Sequence, residues 1–332
     1  MNVVILGAGA WGSAMAIHLN RCGQRVTLIP RRLEQALAIA GTRENAEYLP
    51  GVTFPPDIQV AHSPAPALLE CEVLIFACPS KALRATAERV RPCVTPATKI
   101  AIAICKGLEA GTLLRPELVL RETFPHLPCG TISGPTNAGE VAAGFPGAVA
   151  FASNAAPELV EKIQHEFSNN LLRIYRTTDL AGVELCGALK NIYAIAAGIC
   201  DGMHFGGNAR ASLLTRSLAE MARIILAEGG KLETVLGLSG VGDLVATSTA
   251  DWSRNRAFGI EIGRSGPKVA LEKLSKQKTV VEGFYATKNF YETVHKAGIS
   301  APILDGVYGI VHGGRSPKEI ISALMTRELK EE

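Results

Sequence analysis

Residues 1–12, M-N-V-V-I-L-G-A-G-A-W-G, decide the fold. Met1 to Leu6 is a short apolar, β-rich run that leads directly into Gly7, Gly9 and Gly12. Ala10 to Arg21 then reads as a helix closed by Gly23, and Arg25 to Ile29 as a second strand. A pyrophosphate needs backbone N–H groups at close range and a helix N-terminus aimed at it. Gly7 allows the tight turn, Gly9 the close approach, and Gly12 the packing of helix on strand. A glycine turn that binds nothing, or an adenine cofactor without nicotinamide, are the competing readings.

Outward from that unit, the first half alternates strands and helices. Val73 to Ala77, Lys99 to Ile104, Gly130 to Ser133 and Ala148 to Ala152 are near-continuous apolar runs, with helical stretches such as Ala82 to Arg91 between them. Runs of that kind predict a parallel sheet covered on both faces. Ligands bind such a sheet at the carboxyl ends of its strands, where Pro79, Lys106, Gly134 and Thr136 would lie. From about Asp179 the strand-like runs give way to helical ones: 180–199, 209–228, 231–236, 283–297, 303–311 and 317–329, the last with Ser316 as its cap. The expected architecture is α/β: an N-terminal Rossmann-type, doubly wound sheet over residues 1–178, followed by an all-α C-terminal domain over 179–332.

Composition narrows the function. The 332 residues are 47% hydrophobic with a net charge of +3, which fits a globular protein with sizeable cores and gives no nucleic-acid or polybasic membrane footprint. Eight cysteines and seven histidines are scattered without metal-ligand spacing, so no metal is expected, and free thiols fit a reducing cytoplasm. The most apolar segment, Gly182 to Met203, carries Glu184, Lys190 and Asp201, so no membrane span is expected.

That segment is also the most informative chemically. It is apolar nearly all round and predicts a buried helix, yet it holds Lys190 and Asn191. A buried ammonium must be paired, and its protonation is easily tuned, which suits proton transfer; a structural ion pair is the alternative. Ser239 to Leu244 (S-G-V-G-D-L) places Asp243 in a glycine-tight turn between helices. Ten residues on, Ser253-Arg254-Asn255-Arg256 groups a hydroxyl, two guanidinium groups and an amide, which suits a phosphate as well as a solvated helix start. After the second strand come Pro30-Arg31-Arg32, with no acid before Glu34. Sites that select NAD use an acid there for the ribose 2′-OH, so Arg31 and Arg32 point to NADPH/NADP as the preferred cofactor, with NADH/NAD possible.

The ordered set G-A-G-A-W-G (7–12), C-K-G-L-E (105–109), S-G-P-T (133–136), L-K-N (189–191), F-G-G-N-A-R (205–210), G-V-G-D-L (240–244), S-R-N-R (253–256) and V-E-G (281–283) resembles the bacterial-type NAD(P)-dependent glycerol-3-phosphate dehydrogenases over nearly the whole chain. The resemblance implies reversible reduction of dihydroxyacetone phosphate to sn-glycerol 3-phosphate for glycerophospholipid synthesis. It implies Lys190 as general acid/base, Asp243 as its partner and Lys106 as a substrate-side lysine. Gly134, Thr136, Asn191, Ser253, Arg254 and Asn255 would hold substrate. Gly7, Gly9, Ala10, Trp11, Gly12, Arg31, Arg32, Pro79, Lys106, Ala138, Arg254, Val280 and Glu282 would hold the cofactor. A cytoplasmic homodimer is expected.

Four positions depart from the pattern. Asn137 and Gly139 stand where an aromatic and a lysine are usual, Gly207 where an aspartate is, and Cys105 where a serine is. Two rivals remain on sequence alone. One is a dehydrogenase of a β-hydroxyacid or larger sugar phosphate, which would not need S-R-N-R after G-D-L. The other is a dinucleotide-binding sensor without catalysis, which would not need Lys190.

Overall fold

The computed structural model describes residues 1–276, 280–329 and 331 and divides into two compact units, Met1–Glu184 and Leu185–Glu332. The first holds β1 (Asn2–Leu6), α1 (Ala10–Arg21), β2 (Arg25–Ile29), α2 (Leu33–Thr42), β3 (Glu44–Asn45), β4 (Leu49–Thr53), β5 (Gln59–Val60), α3 (Pro64–Leu68) and β6 (Val73–Phe76). It continues with α4 (Leu83–Val90), β7 (Ile100–Ala103), α5 (Pro116–Thr123), β8 (Cys129–Ser133), α6 (Ala138–Ala143), β9 (Gly147–Ser153), α7 (Pro157–Phe167) and β10 (Leu172–Thr177).

Eight of these strands form one sheet, ordered β10-β9-β8-β7-β6-β1-β2-β5, while β3 and β4 make a separate antiparallel pair. The apolar runs face both ways, because successive strand residues alternate sides. Val3, Ile5, Val73, Ile75, Ile100 and Ile102 join Met15, Leu19, Ile163 and Phe167 in one core. Val4, Leu6, Leu74, Phe76, Ala101 and Ala103 join Leu68, Leu83, Ala87 and Leu120 in the other. The sheet is therefore doubly wound. The chain leaves β1 toward β2 on one side and later returns to β6 on the other, which opens a switch point beside Gly7.

The sheet is not wholly parallel. From β5 to β8 the paired strands run parallel, but β9 is antiparallel to β8, with Gly130 opposite Ser153 and Ser133 opposite Ala150, and β10 runs parallel to β9. The segment between β8 and β9 holds only the six-residue α6. At about 1.5 Å per residue such a helix is too short to carry the chain back across the sheet, so β9 starts at the edge where β8 ends.

α8 (Leu180–Gly202) contains the division between the units. The second unit continues with α9 (Gly207–Ala227), α10 (Leu232–Val235), α11 (Asp243–Thr249), α12 (Arg254–Ser265), α13 (Pro267–Lys276), α14 (Glu282–Lys296), α15 (Pro302–Val311) and α16 (Pro317–Met325). Among the described residues it has no strand. α8 is long and apolar enough to cross a membrane, but its whole apolar window is buried inside the protein. Glu220 of α9 is buried and accepts the N–H groups of Ile303 and Leu304, capping α15. Ser316 occupies the N-cap position of α16 without a side-chain cap bond, and that helix ends at Met325, four residues before the expected Leu329.

Candidate active site

In the first unit the glycine fingerprint forms a cradle. Gly7 adopts a φ of 115°, and its N–H donates to the carbonyl of Ile29. A Cβ at Gly7 would lie 2.9 Å from the backbone at Ala77 and Cys78, and one at Gly12 would lie 2.1 Å from the Gly7 carbonyl oxygen. Both are closed off, Gly7 by backbone and Gly12 by backbone and the Ala77 side chain. Gly9 is different: a Cβ there would meet nothing within 4 Å, and as N-cap of α1 it offers no side chain to the first helical amides. The open space at Gly9, where α1 begins, fits a pyrophosphate on the helix N-terminus. Asn45 and Gln35, which the sequence reading passed over, both donate to the Ala8 carbonyl (2.9 and 2.8 Å), and Asn45 also donates to Ser13. They fix the loop.

Along the same sheet edge lie Pro79, Lys106, Gly134, Thr136 and Ala138, each just beyond the end of β6, β7 or β8. Lys106 Nζ and Thr136 Oγ1 both donate to the Gly134 carbonyl, each at 3.1 Å. The departures at 137 and 139 explain one another. Asn137 caps α6 by accepting the Glu140 N–H at 2.9 Å, and a Cβ at Gly139 would sit 3.2 Å from the same Asn137 Oδ1. At the end of β2, Arg31 and Arg32 are exposed, and Arg32 is paired with Glu47. Among the described residues no ion pair is formed by Arg31.

In the second unit, α8 presents Lys190 and Asn191 to two different partners. Lys190 Nζ lies 3.0 Å from Asp243 Oδ1 and donates to Thr247 Oγ1 at 2.7 Å, while the Thr247 hydroxyl donates to Asp243 at 3.1 Å. All three are buried. Asp243 is not held in an open turn: Leu238–Gly242 is itself a π-helical turn, and Asp243 is the first residue of α11. Thr247 follows four residues later on the same helix face, which is how it reaches the pair. The sequence reading missed it because it took this stretch for a turn.

Asn191 faces α12 and α14. Its Oδ1 accepts from Asn255 at 2.8 Å, Asn255 Oδ1 accepts the Gly283 N–H at 2.9 Å, and Asn191 Nδ2 reaches Glu282 at 3.4 Å. Ser253 is the N-cap of α12, with its hydroxyl accepting from the Arg256 N–H at 3.2 Å. The Ser253 hydroxyl accepts one bond and the Asn255 amide gives one, each keeping a further donor hydrogen, and Arg254 is the exposed member of the cluster. Arg254 borders a hollow of about 400 Å³ that Val281 also lines, next to half-buried Val280.

Glu184 joins neither arrangement. Within the first unit it accepts the Glu117 N–H at 2.9 Å and lies 3.7 Å from Arg115. Burial pushes its carboxyl up to about 8, with Arg115 opposing the shift. Among the described residues no group of three or more His, Cys, Asp or Glu side chains is placed to hold a metal ion.

Family models for the NAD-dependent glycerol-3-phosphate dehydrogenase N-terminus and C-terminus match residues 2–158 and 179–322. The chain belongs to the NAD-dependent glycerol-3-phosphate dehydrogenase family. It is 39% identical to the glycerol-3-phosphate dehydrogenase (NAD(P)+) of Desulfitobacterium hafniense, covering 99% of this chain and 92% of that one. It is likewise 39% identical to the enzyme of that name from Pelodictyon phaeoclathratiforme, over 100% and 99% of the two chains. The crystal structure of glycerol-3-phosphate dehydrogenase from Coxiella burnetii superposes with a TM-score of 0.91 at 36% identity, covering 98% of each chain.

Proposed function

We propose that the chain is an NAD(P)H-dependent sn-glycerol-3-phosphate dehydrogenase that interconverts dihydroxyacetone phosphate and sn-glycerol 3-phosphate, supplying the backbone of glycerophospholipids. The observation that carries this reading is a buried lysine held by a carboxylate and a hydroxyl, Lys190 with Asp243 and Thr247, in a chain of this family.

When bound, the nicotinamide supplies or accepts the hydride. The protein handles the rest. As the ketone carbon is reduced, negative charge builds on its oxygen, and the Lys190 ammonium delivers the proton there. Asp243 balances the buried ammonium, and Thr247, accepting from Lys190 and donating to Asp243, fixes the direction of the lysine. In the reverse direction the neutral amine takes the hydroxyl proton. Lys106, with Gly134 and Thr136, is assigned to the substrate side of the first unit.

The phosphate is assigned to the N-terminus of α12, where the Arg254 guanidinium and the first-turn amides offer charge-assisted donors. Ser253, Asn255 and Asn191 shape that end of the helix. Gripping a non-reacting group there provides binding energy that orients the carbonyl. For the cofactor, Gly7, Gly9, Ala10, Trp11 and Gly12 take the pyrophosphate and Arg31 a ribose 2′-phosphate. Pro79, Lys106, Ala138, Arg254, Val280 and Glu282 are assigned further contacts. NADPH is the preferred cofactor on this reading, residues 1–178 the dinucleotide domain and 179–332 the catalytic one, and a cytoplasmic homodimer the working form.

A panel of NADPH and NADH against dihydroxyacetone phosphate, β-ketoacids and larger sugar phosphates tests the proposal. Selective oxidation of NADPH with dihydroxyacetone phosphate is expected. Turnover confined to another substrate class, or none with any, would refute it.

A further inference from the structure

The fourth residue of the S-R-N-R cluster, Arg256, is held through its N–H and two of its guanidinium nitrogens. Its N–H donates to Ser253 Oγ at 3.2 Å. Its guanidinium donates from Nε to Asp201 Oδ2 at 2.8 Å and from Nη1 to Asp251 Oδ1 at 2.9 Å. Its carbonyl oxygen lies where a side chain of residue 198 would start, 2.1 Å from a Cβ built on Gly198. Arg256 therefore ties together the turn before α12, the first turn of α12, and α8.

The arms are unequal. The Asp251 side chain is fully exposed, so its pair with Arg256 contributes little. The Arg256 and Asp201 side chains are each only 14% exposed, which makes that charge-assisted bond the effective one. Arg210 of α9, from the F-G-G-N-A-R stretch, takes the other oxygen of Asp201 at 3.2 Å and holds the carboxylate in place.

Backbone contact between α8 and α12 makes this anchor consequential. A Cβ on Gly259 would lie 2.1 Å from the Ile195 oxygen, one on Gly202 2.4 Å from the Ile260 oxygen, and one on Gly263 2.6 Å from the Ile199 oxygen. At these glycines backbone meets backbone, so little soft side chain is there to absorb a displacement. The glycine seam sets the separation of the two helices, and the Arg256–Asp201 bond sets where along α8 the first turn of α12 stops. α8 carries Lys190 and the first turn of α12 carries Arg254.

Resting on the function proposed above, we infer that Arg256, acting through Asp201, is a positioning residue for phosphate recognition. It fixes the N-terminus of α12 so that the anion-binding end stands at a set distance from Lys190.

The test uses the full chain with Arg256→Lys, whose single ammonium cannot reproduce the fork, and Asp201→Asn. Kinetic constants, melting temperature, and direct calorimetric affinity for inorganic phosphate are measured for each. Misplacement by a fraction of an ångström is expected to raise KM for dihydroxyacetone phosphate about tenfold and weaken inorganic phosphate by the same factor. KM for NADPH, which shares only Arg254 with this turn, should rise clearly less than KM for dihydroxyacetone phosphate, with the melting temperature near native. The double variant should be no worse than the poorer single one, because both remove one contact. Asp251→Asn, on the exposed arm, should change phosphate affinity less than about twofold. Unchanged phosphate affinity in both variants would overturn the inference. So would a fall in melting temperature accompanied by equal losses for both ligands, which marks a merely structural role. A native protein that binds phosphate but reduces no dihydroxyacetone phosphate would sink the proposed function instead, and calorimetry would still read the effect of Arg256.

Discussion

Thr247 stands between Lys190 and Asp243, accepting from the ammonium at 2.7 Å and donating to the carboxylate at 3.1 Å. The direct Lys190–Asp243 contact at 3.0 Å closes a ring of three buried polar groups. Thr247→Val keeps the volume and removes the hydroxyl. Its kcat should fall about ten- to a hundredfold with KM for NADPH unchanged, since the proton donor loses its orientation but not its charge partner. Asp243→Ala is expected to cost about 3–5 kcal/mol of stability as well as activity, because it removes the carboxylate paired with a buried ammonium. Chemical denaturation beside steady-state kinetics separates the two effects, and a Thr247→Val enzyme with native kcat would remove that residue from the mechanism.

Arg254 is the exposed cation at the N-terminus of α12, where the neighbouring Ser253 and Asn255 side chains are partly engaged. Arg254→Ala should raise KM for dihydroxyacetone phosphate by about a hundredfold, as expected for losing a charge-assisted bond to phosphate worth ~3 kcal/mol. Inorganic phosphate should compete with substrate in the native enzyme and barely at all in the variant. Identical phosphate inhibition in both would place the phosphate elsewhere.

The two arginines after β2 are not equivalent. Glu47 engages Arg32, so Arg31 is the one expected to read a 2′-phosphate. Arg31→Ala should raise KM for NADPH at least about tenfold and leave NADH nearly unchanged, while Arg32→Ala should have a smaller effect. Glu47→Gln should free Arg32 and strengthen the preference for NADPH. Measured kcat/KM for both cofactors decides it; a larger loss from Arg32→Ala than from Arg31→Ala would contradict the assignment.

Much of this was legible from residue order, and the exceptions have physical causes. α1 and β2 fall on their expected bounds because an apolar run, three glycines and a helix of 3.6-residue period agree. β9 was recognisable as a strand, but an apolar run carries no information about direction, so its reversal was not. β10 (L-R-I-Y-R-T) was missed because it is an edge strand whose outward residues Arg173, Tyr175 and Arg176 are exposed. The start of α12 was legible at S-R-N-R, but its continuation was hidden by Gly259 and Gly263, which weaken any local helix signal and are explained by the close approach of α8. Thr247 was invisible for a related reason: its four-residue spacing from Asp243 acquires meaning only once that stretch is helical.

Glu184 gives a pH signature independent of catalysis. Burial raises its carboxyl from the usual range to about 8 in the fold. The folded state therefore favours the protonated form, and the stability this provides is present below about pH 4.5 and lost as pH rises through 8. Native stability should decline across that window as the group ionises in the unfolded state first. Glu184→Gln should flatten the decline. Urea denaturation at pH 5, 6.5 and 8 checks it, and parallel curves for the two proteins would show that Glu184 ionises freely in the fold.

The most direct measurement is the steady-state oxidation of NADPH with dihydroxyacetone phosphate by native protein and by Lys190→Met, with cofactor affinity determined in parallel. Native protein should turn over, and the variant should bind NADPH normally while kcat falls by at least about 10²–10⁴-fold. Near-native turnover in Lys190→Met, or none in the native protein, would contradict the assignment of Lys190 as the proton donor of a glycerol-3-phosphate dehydrogenase.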